Sequence, residues 1–144
     1  MAVLLTGALL GSRLGLAAQV AYLAAGMLGA QVFAPSAILP PGAARLLGPT
    51  GGFLMVYPLA AFVTGWLAER GWDRRYLSSA LAMVAGLAVI YTGGALWHMA
   101  TVTHSFGATL ATSVLPFAPF DVAKIVIVAA ILPQAWRLLG GRAE

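Results

Sequence analysis

Four apolar runs, bounded by charges or by Gly and Pro, constrain this chain more than any other feature. They occupy residues 14–33, 52–68, 76–98 and 120–139 and are 17 to 23 residues long. A hydrocarbon core about 30 Å thick takes roughly 20 mainly apolar residues per helix, so each run can span a bilayer. Hydrophobic residues make up 61% of the chain and charged residues 8%, against roughly 25% charged in an ordinary soluble domain. In 144 residues such spans leave no room for a soluble catalytic domain. The expected fold is an all-α membrane protein: a compact bundle of transmembrane helices, forming one integral membrane domain over residues 1–144.

The opening run, MAVLLTGALLG, is shorter. At about 1.5 Å per residue its 11 residues reach about 16 Å, half of the hydrocarbon thickness. It reads as the second half of a helix whose beginning is absent, a half-length fifth helix beside four full spans. A signal peptide is the rival reading, but that needs a positively charged start, and residues 1–10 contain no Lys or Arg.

Basic residues set the expected orientation, because short loops rich in Lys and Arg stay cytoplasmic. If the spans alternate, Arg13, Arg70, Arg74, Arg75, Arg137 and Arg142 share one side and Arg45 stands alone on the other. That places the protein in the cytoplasmic membrane as a multi-pass chain with a cytoplasmic C-terminus. The connections 34–51 and 99–119 then face outward as loops. ERGWDRR is a topology signal on this reading, with a docking site for a partner as its alternative. The net charge of +4 has this membrane explanation and implies no nucleic acid, since no basic patch interleaved with aromatics lies on a soluble surface. With no cysteine and only His98 and His104, neither a disulfide framework nor a metal or other cofactor site is indicated. No nucleophile and base stand at workable spacing, so an enzyme is not expected.

The last apolar run, which follows PFAPF, carries an acid and a base one helical turn apart. Asp121 and Lys124, spaced i and i+3, project from one helix face. A charge at the centre of a bilayer-spanning helix costs about 2.5 to 3.5 kcal/mol, so neither should face lipid. Two readings stand: an ion pair that pins the helix, and a polar ligand site. Prolines in PFAPF favour an extended or turn entry, which puts Asp121 near a helix N-terminus where the macrodipole favours negative charge.

Outward by the same topology lies GPTGGF, residues 48–53. Its glycines let backbone approach a solute closely and Thr50 adds a hydroxyl, although an ordinary loop-to-helix turn explains the run equally well. Phe53, Tyr57, Tyr91 and Trp97 fall at the same level. Singly they read as interfacial anchors; together they can wall an apolar pocket with a few polar groups at its end. Ala17, Ala21, Ala25 and Gly29 form a small-residue stripe, expected to pack inside the bundle, with docking of another membrane subunit as the alternative.

These segments, in order, resemble the BioY family of biotin transporters, the S components of energy-coupling factor (ECF) transporters. The resemblance is carried by AVLLTGALLGSRLG, AYLAAGMLGAQVFA, GPTGGFLMVYPLAAFVTGWLAER, IYTGGALW and LPFAPFDVAKIVIVAAIL, most specifically by GPTGG and the Asp-x-x-Lys after Pro-Phe. It implies a bundle of six helices that binds biotin at its outer side and works with an energising module of a transmembrane coupling subunit and two ATPase subunits. It also implies substrate contacts from Asp121 and Lys124, closure of the pocket by Thr50, Gly51, Phe53 and Tyr57, and packing by Trp97 beside it; Tyr91 joins the candidate substrate-binding residues as one of the aromatics at that level. Lys124 suits a carboxylate, and Asp121 suits ureido N–H groups. The family usually begins with a further helix and a Pro-rich outward loop, both missing here, so a truncated, inactive S component is one alternative. A structural or assembly subunit without ligand is another. APSAILPPGAARLL is longer and richer in proline than the usual Gly-rich loop, which leaves Arg45 either holding a carboxylate or sitting in solvent.

Overall fold

The computed structural model describes residues 1–140 and is built of helices, with no strand among the described residues. Arg142 lies outside them. Helix α1 (Ala2–Leu10) ends at Gly11, whose φ of 86° turns the chain straight into α2 (Ser12–Met27). After a long connection come two short helices, α3 (Ala44–Leu47) and α4 (Gly51–Met55), and then α5 (Tyr57–Glu69). A 3₁₀ turn, Trp72–Arg74, leads into the long α6 (Tyr76–His98). A π-helical turn (Met99–Thr103), α7 (Phe106–Thr109) and a second π-helical turn (Leu110–Val114) precede α8 (Ala118–Leu138).

Small residues let these helices approach. Helix α5 packs on α1, α2 and α6, and α8 packs on α6. A Cβ added at Gly65 would stand 2.6 Å from the backbone of Gly11 and Ser12, and one at Gly7 would run into the Ala61 backbone. Leu4, Ala60, Ala61, Met83, Ile125 and Leu132 form the core where these faces meet. Larger apolar side chains such as Leu14, Leu59, Leu81, Val126 and Ile131 point outward, as lipid-facing residues do when the surrounding solvent is hydrocarbon. The stripe Ala17, Ala21, Gly29 is exposed and Ala25 half-buried, so it does not pack within the bundle; Ser12, Gly15, Gln19 and Gly26 form the buried face of α2 instead.

Four apolar runs do not become four full-length helices. Two helical stretches, Tyr76–Thr103 and Ala118–Leu138, are long and apolar enough to cross a membrane. The run at 14–33 gives a helix of 16 residues, about 24 Å long, because the chain turns at Gly29, where φ is 98°. The run at 52–68 breaks at Val56. Pro58 has no N–H to continue the ladder across that point and instead occupies the first turn of α5, where none is needed. Nor is 99–119 an irregular loop. Its hydroxyls bond back one turn: Thr101 to Trp97 O at 2.8 Å, Thr109 to Ser105 O at 2.8 Å, Thr112 to Ala108 O at 2.8 Å and Ser113 to Thr109 O at 2.7 Å. A polar run therefore stays helical by satisfying its own side chains.

The chain alternates between two ends. Glu69, closing α5, accepts the Ser12 backbone N–H at 2.7 Å and the Ser12 hydroxyl at 2.9 and 3.0 Å, which sets the start of α2 beside the end of α5. A cavity of about 360 Å³ at this end is lined by Glu69, Asp73, Arg74, Trp136 and Arg137. Arg13, Arg70 and Arg75 adjoin these residues in sequence. Arg45, Asp121 and Lys124 belong to the opposite end.

Candidate functional site

Helix α8 starts as the sequence requires. Pro119 and, two residues on, Asp121 both stand in its first turn, with the Asp121 N–H on Phe117 O at 3.0 Å. From α6 the Tyr91 hydroxyl donates to Asp121 Oδ2 at 2.5 Å, while Lys124 Nζ lies 3.5 Å from Oδ1. The carboxylate is thus held between two helices, 20% exposed, and the Lys124 side chain is 56% exposed. Lys124 is not enclosed by the described residues, contrary to the expectation that both charges point into the bundle. Val122, Val126 and Ile127 are exposed on the same helix, which among the described elements packs chiefly on α6 and the 3₁₀ turn.

Two partners leave this site chemically unsaturated. An ionised carboxylate offers about four lone-pair positions, of which Tyr91 and Lys124 take two, and an ammonium has three donors, of which Asp121 takes one. A ligand with N–H donors and an anionic group can use what remains.

The GPTGG turn is clamped onto the C-terminal end of α6. The Trp97 indole N–H donates to Gly48 O at 2.9 Å, and His98 Nδ1 lies 3.3 Å from Pro49 O. Gly52 lies under Trp97 and Phe53 rests on Gly94, in each case with no room for a Cβ on the glycine. Gly51 is buried, and a Cβ there would come within 2.5 Å of the Leu46 carbonyl carbon. Thr50 is exposed at the start of α4. Tyr57 is half-buried against the core at the start of α5, within electrostatic reach of both Asp121 and Tyr22.

The expected residues therefore fall into two groups on α6: Tyr91 with Asp121 and Lys124, and Trp97 with Gly51, Gly52 and Phe53 of the glycine turn. A second cavity, of about 380 Å³, opens beneath the connection between α2 and α3, lined by Phe33, Pro35, Ser36, Pro41 and Arg45 among others. Neither cavity is lined by Asp121 or Lys124.

Sequence reasoning missed two participants, His98 and Tyr22, and the partners of a third, Arg45. His98 bridges Pro49 O and Thr112 Oγ1, the latter at 3.5 Å. Tyr22 donates to Val32 O at 3.0 Å and meets the Phe33 ring edge-on at 5.5 Å. Arg45, left open between holding a carboxylate and sitting in solvent, is engaged within its own loop: its guanidinium donates to the carbonyls of Ala34, Leu39 and Pro40. An arginine beside a proline-rich loop, whose carbonyls outnumber its N–H groups, was the available signal for the last.

A profile described as the BioY family matches residues 1–141. The chain belongs to the BioY family. Among BioY relatives, a protein of Thermotoga maritima named Biotin transporter BioY is 37% identical over 133 residues, 90% of this chain and 73% of that protein. A Rhizobium etli protein of the same name is 34% identical over 143 residues, covering 94% of this chain and 73% of its own. A crystal structure described as the S-component for biotin from an ECF-type ABC transporter superposes with a TM-score of 0.80 at 23% identity, covering 94% of this chain and 71% of that one. At that identity the likeness fixes the fold, so this BioY chain has the helical arrangement of an S component.

Proposed function

We propose that this chain is a biotin-binding S component of an ECF-type transporter, one integral membrane domain that takes up biotin from outside the cytoplasmic membrane. It has no chemistry of its own. A transmembrane coupling subunit and two ATPase subunits supply the energy, and the C-terminus is cytoplasmic. Family membership and relatives named for biotin transport support this reading, and the observation that carries it at the site is the Tyr91–Asp121–Lys124 chain.

On this reading, Asp121, fixed by Tyr91, accepts ureido N–H groups, and the spare donors of Lys124 meet the carboxylate. Thr50, Gly51, Phe53, Tyr57 and Trp97 close the apolar side. Calorimetry on protein in lipid nanodiscs tests it: Asp121→Asn and Lys124→Ala each weaken biotin binding about tenfold or more. Biotin methyl ester, which lacks the anion, discriminates the two, since Lys124→Ala removes the preference for the acid and Asp121→Asn does not. Binding unchanged by both substitutions takes the pair out of the site.

A second reading draws on the Tyr91 bond, because that bond also ties α6 to α8. If the pair only locks helices in a structural subunit, both substitutions lower thermal stability while biotin shifts the melting of neither the variants nor the unaltered protein.

A further inference from the structure

Residues 28–43, between α2 and α3, form a flap with two glycine ends and little backbone bonding of its own. Gly29 has φ 98° and Gly42 has φ 106°, a conformation that glycine adopts without penalty. Between them Pro35, Pro40 and Pro41 supply carbonyls and no N–H donors. Side chains do the bonding instead. Ser36 Oγ accepts the N–H groups of Ile38 and Leu39, both at 3.2 Å. Arg45 Nε lies 3.1 Å from both Leu39 O and Pro40 O, and Nη1 donates to Ala34 O. One guanidinium therefore gathers carbonyls from both arms of the flap.

Two contacts hold the flap in place. Its first arm is fixed to α2 by Tyr22, through Val32 O and the Phe33 ring. Its second arm carries Leu39, whose methyl group presses on Gly48 of the glycine turn.

We propose that Arg45 is a positioning residue for substrate retention, whose guanidinium keeps residues 34–40 folded as one piece against the glycine turn and does not itself bind the substrate carboxylate. Planar, forked donors suit this task, since a single ammonium cannot meet carbonyls on both arms with the same geometry. The inference rests on the biotin reading for its kinetic consequence, but not for its structural one.

Hydrogen exchange on the ligand-free protein and biotin dissociation kinetics test it together, with Arg45→Lys and Arg45→Gln beside Arg45→Ala. In Arg45→Ala the amides of 28–43 exchange about tenfold faster while those of α6 and α8 do not change, with Arg45→Lys intermediate. Biotin and its methyl ester both leave about tenfold faster, and the preference for the acid is kept. Unchanged exchange in the flap, or loss of the acid preference, overturns the proposal. Should the unaltered protein fail to bind biotin, the functional reading falls, and the exchange comparison still decides whether Arg45 holds the flap.

Discussion

Tyr91 and Asp121 meet at 2.5 Å, the length of a hydrogen bond to a charged acceptor, and such bonds contribute about 1.5 to 3 kcal/mol. Tyr91→Phe keeps the ring and removes the donor. The carboxylate then loses its tie to α6 and turns toward Lys124, so biotin affinity falls about tenfold, measured by calorimetry, with the helical circular dichroism signal unchanged. Asp121 and Lys124 were legible in the sequence because a charge in an apolar run has to be accounted for. Tyr91 was legible only as one aromatic among several. Its partner is 30 residues away, and the register of α6 against α8 is written in packing that no local pattern encodes. Arg45 was illegible for the same reason: its partners are backbone carbonyls, which look alike in every sequence.

The junction of α1, α2 and α5 shows how elements are held where apolar burial gives little drive. Helix α2 begins at Ser12 with no capping side chain of its own, and Glu69 from α5 fills that place. An anionic acceptor at a helix N-terminus satisfies a free N–H and complements the macrodipole. Glu69→Ala therefore destabilises the protein by about 1 kcal/mol, read as a lower melting temperature in detergent, while Glu69→Gln retains part of the effect through its remaining acceptor. The number of apolar runs and their order were readable, since composition alone forces helices in a bilayer. Their lengths were not. Apolarity continues unbroken past Val56, and only the missing N–H of Pro58 stops the ladder. The 99–119 segment looked like a loop because its threonines are polar, and it is helical because each of several hydroxyls finds a carbonyl one turn back.

Across the whole molecule, charge and packing describe the same axis. Large apolar side chains lie outside and glycine and alanine line the contacts, the pattern expected where lipid, not water, surrounds the helices. Arg74 and Arg137 line a cavity at one end, with Glu69 holding the start of α2 beside it, while Arg45 stands at the other. Basic residues resist translocation, so the Arg-rich end should face the cytoplasm and the glycine turn, flap and Asp121 the outside. A chain with no cysteine makes this directly measurable, because any thiol introduced is the sole reactive one. Ser36→Cys in the flap and Ser105→Cys between the two helical turns are both exposed and should react with a membrane-impermeant maleimide on intact cells. Arg74→Cys should react only after permeabilisation. Labelling of Arg74→Cys from outside, with Ser36→Cys and Ser105→Cys protected, would invert the orientation and put the Asp121 site on the side from which no uptake can begin.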